Sequence, residues 1–145
     1  EGIEVVNFIA LRVNTAFSEA SFKIASALLC SLLAGAGMAS VRFGLLTGMV
    51  NHLRYPNYLT YFFSCVLLQA FHLTGASFEQ QLKSQLVRVL LERLVVYRPH
   101  PWGLMITFME LIRNPEYRFW SQPLVKASPE LERMFETVAK SCLVN

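Results

Sequence analysis

Apolar residues recur every three or four positions along almost the whole chain. Ile3, Val6, Ala10, Val13 and Phe17 form one such stripe, the spacing of one face of an α-helix. Similar runs predict a second helix over about Phe22–Ala34, a third over about Ala39–Leu53 and a fourth over about Tyr58–Leu73. Pro56 stops the third, Asn57 is placed to cap the fourth, and Gly75 closes it. Asparagine accepts from orphan helix N–H groups, and glycine takes the left-handed conformation at helix ends. Ser77, with Gln80 three residues on, makes a capping box for a fifth helix. Leu82, Leu86, Leu90 and Leu94 then run along it, widened by Val87, Leu91 and Val95. The sequence has no alternating strand pattern and no Asn-Gly turn, the two main marks of a hairpin.

Residues 98–103 read Arg-Pro-His-Pro-Trp-Gly. Pro99 cannot continue the fifth helix and biases Arg98 away from helical angles. Pro101 fits the first turn of a sixth helix, which runs to Arg113. His100 falls at its N-cap, and Trp102 in its first turn can pack back on the fifth helix. Arg98, Pro99, His100, Pro101 and Trp102 therefore read as a structural corner. The competing reading is a partner contact at an exposed loop. Asn114-Pro115 and Ser128-Pro129 repeat the order of a cap followed by proline. Between them, Asn114 to Pro123 reads as a short helix closed by a second proline, with Tyr117 and Trp120 on one face. In one reading Phe119 and Trp120 plug the core between the sixth and eighth helices. In the other, Tyr117 and Arg118 stay exposed beside Lys126 as an aromatic and basic anchor for a partner. The expectation is an all-α fold of about eight helices in stacked antiparallel pairs, one domain over residues 1–145. Breaks are expected near Gly35–Gly37, Pro56, Gly75–Ala76, Pro99 and Asn114.

Composition narrows the chemistry. The 145 residues are 54% hydrophobic and only 16% charged, against roughly 25% charged in an average soluble domain. The net charge is +3 and the basic residues are scattered, unlike a nucleic-acid arm. All ten acidic residues are glutamate, and none lies between Glu19 and Glu79. Without aspartate there is no Asp-oriented triad and no EF-hand. Cys30, Cys65 and Cys142 are isolated and read as reduced, buried thiols of an intracellular protein. Gly35-Ala-Gly37 resembles the start of a dinucleotide loop, but Ser40 replaces the third glycine and the run follows a helix. His52, His72 and His100 share no ligand spacing. No catalytic residue, cofactor or metal is expected, and the protein reads as not an enzyme.

Two stretches carry no charge, Ile24–Val41 and Tyr55–Phe78, and their lengths reach the range of a membrane span. Ser40, Gly44 and Gly48 add the small-residue spacing that membrane helices use. Gly35 and Gly37 break the first stretch; Pro56, Asn57, Gln69 and His72 interrupt the second. A membrane hairpin and an RNA-binding helical repeat stand as alternatives to a protein-docking module. The chain opens on Glu1 without methionine and reads as a piece of something longer.

Several blocks carry a family resemblance: "LRYPN" (53–57), "YFFSC" (61–65), "RVLLERL" (88–94), "RPHPWGLMITFMELIRNP" (98–115), "FW" (119–120) and "SPELERMFETVAKSC" (128–142). In this order they resemble the C-terminal domain of the Not-one scaffold subunit of the CCR–NOT mRNA deadenylation complex. The resemblance spans about residues 41–142. Residues 1–40 share only helical character with it, and "SVRFGLLTGM" (40–49) departs from the family's usual acidic run. The resemblance implies HEAT-like repeats without catalytic activity. It implies docking of Not-two and Not-three (or Not-five) subunits through extended segments and, in some animals, of short repressor peptides. It further implies a role in deadenylation and translational repression, in the cytoplasm and partly the nucleus. Neither a membrane nor strong direct nucleic-acid binding is expected.

Overall fold

The computed structural model describes residues 2–15, 19–73 and 79–144, with the side chains of 11–15 and 144 left aside. Among these are the helices α1 (Gly2–Thr15), α2 (Glu19–Gly35), α3 (Ala39–Val50), α4 (Tyr58–His72), α5 (Glu79–Val96), α6 (Trp102–Arg113), α7 (Pro123–Lys126) and α8 (Pro129–Val144). Two 3₁₀ turns, Pro115–Tyr117 and Phe119–Ser121, stand between α6 and α7. No strand occurs among the described residues. Phe17, the side chain of Val13, the Gly75–Ala76 break and the Ser77 cap lie outside them.

Local chemistry accounts for three of the boundaries. The Asn57 side chain accepts from Thr60 N at 2.9 Å and opens α4. Ser128 Oγ accepts from Leu131 N at 3.2 Å ahead of α8. Asn114 accepts from Glu116 N at 3.0 Å ahead of the first 3₁₀ turn. Each satisfies an N–H that the helix leaves without a partner.

α1, α3 and α5 pack side by side in one layer, and α2, α4 and α6 in a second. Consecutive helices join across the layers, and α8 closes the array against α5 and α6. The result is the expected HEAT-like stack of antiparallel pairs. Its core runs between the layers through Leu33, Leu46, Phe62, Phe63, Leu90 and Phe108, all fully buried. Each such side chain contributes roughly 1.5–3 kcal/mol through burial.

The charge-free stretches are resolved by this arrangement. No helix among the described residues is long and apolar enough to cross a membrane. Gly44 and Gly48 serve a helix crossing inside the stack: a Cβ at Gly48 would meet Val6 Cβ at 3.0 Å and Ile3 Cα at 3.1 Å. The turn between α2 and α3 is held from beneath. Arg42, only 4% exposed, donates from Nη1 to Ala36 O (2.7 Å) and Gly37 O (3.2 Å) and from Nε to Gln85 Oε1 (2.8 Å). Gln85 Nε2 in turn donates to Ala39 O at 3.0 Å. The glycines of residues 35–37 thus belong to a helix–helix turn.

Candidate functional site

Two turns 45 residues apart meet at one edge of the stack. One follows α3 and carries Arg54, Tyr55 and Pro56; the other joins α5 to α6 through the Arg98–Gly103 corner. Gly103 N donates to Arg54 O at 2.8 Å, and a Cβ at Gly103 would lie 2.3 Å from Thr60 Cγ2 and 2.9 Å from Leu53 C. Glycine is what allows this approach. Thr60 Oγ1 donates to His52 O at 2.8 Å and accepts from Arg54 N at 3.4 Å, so the α4 side of the junction is fixed as well.

The corner differs from its expected form in three ways. His100 is not the N-cap of α6. It is buried, with Nδ1 3.2 Å from Tyr97 O and Nε2 3.0 Å from Ser141 Oγ on α8. Both ring nitrogens thus have a polar partner, as a buried imidazole requires. Pro101 takes the cap position without any side-chain hydrogen bond, and α6 starts one residue later, at Trp102. Trp102 is not buried against α5; 43% of it is exposed.

The exposed indole is a ridge between two hollows. On one side a groove of about 510 Å³ is lined by Tyr55, Tyr97 and the Trp102 ring over a floor of Leu53 and Leu104. Arg54 and Arg93 line it too, and Arg98 stands exposed between Tyr97 and Pro99. On the other side a smaller hollow of about 350 Å³ is lined by Pro56, Tyr61 and Ile106. No carboxylate lines either hollow. None of the ion pairs among the described residues involves Arg54, Arg93 or Arg98. The Arg93 guanidinium lies 5.9 Å from the Tyr97 ring centre, a cation–π arrangement. A third hollow, about 520 Å³, lies between α5 and α8 over Leu91, Met134 and Phe135. On α2, Ile24, Leu28 and Leu32 form an exposed stripe.

The 114–123 segment is not one helix. Arg118 adopts a left-handed conformation (φ 48°, ψ 41°) that separates the two 3₁₀ turns, and Pro123 starts α7 instead of closing a helix. Tyr117 and Trp120 therefore share no helical face. Tyr117 is half-buried, edge-on to Phe71 (6.2 Å) and His72 (5.9 Å). Arg118 is exposed, and Lys126 pairs with Glu132. Phe119 is the plug, 2% exposed, with its ring 6.1 Å from Phe108 of α6 and 5.4 Å from Phe135 of α8. Trp120 is half-buried beside it and donates from Nε1 to Ile112 O at 3.1 Å. The sequence reading missed Tyr55, Tyr61, Tyr97, Arg54 and Arg93. Its available signal was tyrosine and arginine beside proline in two separate turns.

Among the shifted titrating groups of the described residues are three thiols and one histidine, each shifted first by burial. Burial pushes the thiols of Cys30, Cys65 and Cys142 above the ordinary range. A hydrogen bond from Tyr61 opposes this at Cys65, and nearby Arg98 opposes it at Cys142. Thiols of this kind are poor nucleophiles near neutral pH. His52, stacked on Phe63 at 4.8 Å and 3.1 Å from Asn7 Oδ1, is shifted down by burial and then by Arg54. No group of three or more His, Cys, Asp or Glu side chains placed to hold a metal occurs among the described residues.

The profile of the family described as "CCR4-Not complex component, Not1" matches residues 2–139. The chain belongs to the Not1 family. The match extends the resemblance from residue 41 back through α1 and α2. Among curated relatives, the chain is 48% identical over 102 residues to "CCR4-NOT transcription complex subunit let-711" of Caenorhabditis elegans, covering 70% of this chain and 4% of that protein. It is 45% identical over 98 residues to "General negative regulator of transcription subunit 1" of Schizosaccharomyces pombe, covering 67% and 5%. Among solved structures it is similar to the NOT1 superfamily homology domain from Chaetomium thermophilum, with TM-score 0.72 and 34% identity over 96% of this chain and 28% of that one. It is also similar to a Not1 C-terminal domain solved in complex with Not4, with TM-score 0.76 and 26% identity over 91% and 28%. The chain thus spans about one twentieth of the length of its curated Not1 relatives. Not1 domains of this kind are non-catalytic protein-interaction modules.

Proposed function

We propose that this Not1 domain is a docking module of the CCR4–NOT scaffold, receiving Not2-type and Not3- or Not5-type subunits through extended segments that lie along the helices. The observation that carries this reading is the family match over residues 2–139. Exposed aromatic and apolar side chains on the helical stack, among them Tyr55, Tyr61, Trp102 and Ile106, support it, because such side chains dominate interface energies. Stacked helical arrays offer extended surfaces of this kind. The relative solved with Not4 supports a Not4-type segment as a third partner, and the family resemblance adds short repressor peptides as a fourth. Through these contacts the module supports mRNA deadenylation and translational repression in the cytoplasm and partly in the nucleus. It uses neither a cofactor nor a membrane. Titration of the purified chain with the purified Not2/Not3 pair, and separately with a Not4 segment, tests the reading. A stoichiometric complex with at least one is expected; a folded chain that binds none of them overturns it.

A further inference from the structure

We infer that the Trp102 ridge is the site at which this module takes one extended, acidic segment of a partner protein, anchored by two apolar side chains two residues apart. The inference rests on the docking function proposed above and specifies where docking occurs and what chemistry is recognised. The indole separates hollows of about 510 and 350 Å³. In an extended strand, side chains at i and i+2 point to the same side roughly 7 Å apart. One anchor then enters the hollow floored by Leu53 and Leu104 and the other the hollow beside Ile106, on either side of the indole that lines both. The charge of the partner follows from Arg54, Arg93 and Arg98. Arg54 and Arg93 line the larger hollow and Arg98 stands exposed between two of its lining residues, Tyr97 and Pro99; no carboxylate lines the hollow, and none of the three arginines forms an ion pair among the described residues. An acidic segment supplies the missing carboxylates, and guanidinium groups bind these in bidentate fashion. Aromatic rings beside arginines also suit single-stranded nucleic acid. Against that occupant, the ridge is walled by Pro56, Pro101 and leucine side chains, which shape discrete pockets for aliphatic or benzyl groups and leave no continuous stacking platform. The basic residues of the chain as a whole are too few and scattered to follow a phosphate backbone.

The test is a selection of displayed random peptides about 12 residues long, which reach roughly 40 Å when extended, against the purified chain. The enriched peptides are then titrated by fluorescence anisotropy against the chain and its Trp102→Ala and Arg98→Glu variants, with labelled oligouridine as a parallel probe. Circular dichroism checks that both variants are folded. Arg98→Glu changes an exposed side chain and keeps the test valid should Trp102→Ala fail to fold. Expected are acidic peptides with two apolar residues in i, i+2 spacing, binding about 30-fold or more weakly to Trp102→Ala. Arg98→Glu is expected to weaken them several-fold, with an effect that shrinks in high salt. Enriched peptides without acidic residues, peptides that bind both variants as tightly as the parent, or no enrichment at all would overturn the inference. Oligouridine binding that both variants abolish would reassign the ridge to nucleic acid. Titrating the Not2/Not3 pair separates the two proposals. If the pair binds parent and variants alike, docking stands and this site falls. If the pair does not bind but acidic peptides need Trp102, the site stands and the assigned partners fall.

Discussion

Gly103→Ala is a single-methyl test of how the docking edge is built. Two effects oppose each other. Alanine is favoured over glycine within a helix by about 0.8–1 kcal/mol, and Gly103 is the second residue of α6, so propensity alone predicts a small gain. The added Cβ, however, lands 2.3 Å from Thr60 Cγ2, 2.9 Å from Leu53 C and 3.1 Å from Arg54 N. Two of these three atoms are backbone and cannot rotate away. The Thr60 methyl cannot easily turn either, because its hydroxyl is committed to His52 O and Arg54 N. Separating the chains also lengthens the Gly103 N to Arg54 O bond, now 2.8 Å. Overpacking of this kind costs about 1–3 kcal/mol, and loss of a buried backbone bond adds about 1 kcal/mol. The steric terms win, and the expected net destabilisation is about 2 kcal/mol. For a domain of this size that lowers Tm by roughly 4–8 °C, which circular dichroism melting and urea unfolding both resolve. Gly37→Ala is the internal control. Nothing lies within 4 Å of its Cβ position and its φ is not in the left-handed region, so the same substitution there should be neutral or stabilise by up to about 1 kcal/mol. Adding Thr60→Ser, which removes the nearest methyl, should recover part of the loss. An unchanged or raised Tm for Gly103→Ala would refute the close approach of the two turns and with it the geometry of the ridge.

Three further outcomes are expected. Arg42→Met leaves the Ala36 and Gly37 carbonyls and the Gln85 amide without their partner and should destabilise by about 2–4 kcal/mol in urea unfolding; a loss below about 0.5 kcal/mol would show that Arg42 does not hold the turn. Arg118→Gly removes the steric penalty of a left-handed residue and should raise stability by about 0.5–1 kcal/mol; an unchanged affinity for partner subunits in this variant would remove Arg118 from the interface with Tyr117 and Lys126. His52, whose folded pKa is lowered, binds fewer protons folded than unfolded, so its contribution is present above the unfolded value near 6.5 and is lost as pH falls through the lower folded value; stability of the parent should decline below about pH 6.5, and His52→Gln should flatten that decline in pH-dependent urea unfolding.

Much of the fold was legible because periodicity and end chemistry are local. Asn57, Ser128 and Asn114 cap where their sequence position indicates, since an N-cap needs only the next three residues. The same rule failed at His100. Its fate was decided by Ser141 on α8, 41 residues away, and no local pattern reports a partner at that distance. The helical reading of residues 114–123 failed for a related reason. Phe119 is drawn inward by Phe108 and Phe135, and the chain accommodates this by turning left-handed at Arg118, which a propensity argument assigns to glycine.

The candidate site was less legible than the fold because it exists only between elements. Trp102 was visible, but a tryptophan in the first turn of an apolar helix is expected to be buried, and its exposure depends on how Gly103 seats against Arg54 and Thr60. That contact seats α6 against the turn after α3, and the indole lines the two hollows beside it. Tyr55 belongs to one turn and Tyr97 to the other, so neither segment read alone has an aromatic cluster. The absence of acidic residues between Glu19 and Glu79 was plain in the sequence and served only to exclude chemistry. In the folded chain it leaves Arg54 facing a groove without a carboxylate. A compositional gap that argued only against acid-dependent chemistry thus becomes, once the two turns meet, the ground for inferring an acidic partner.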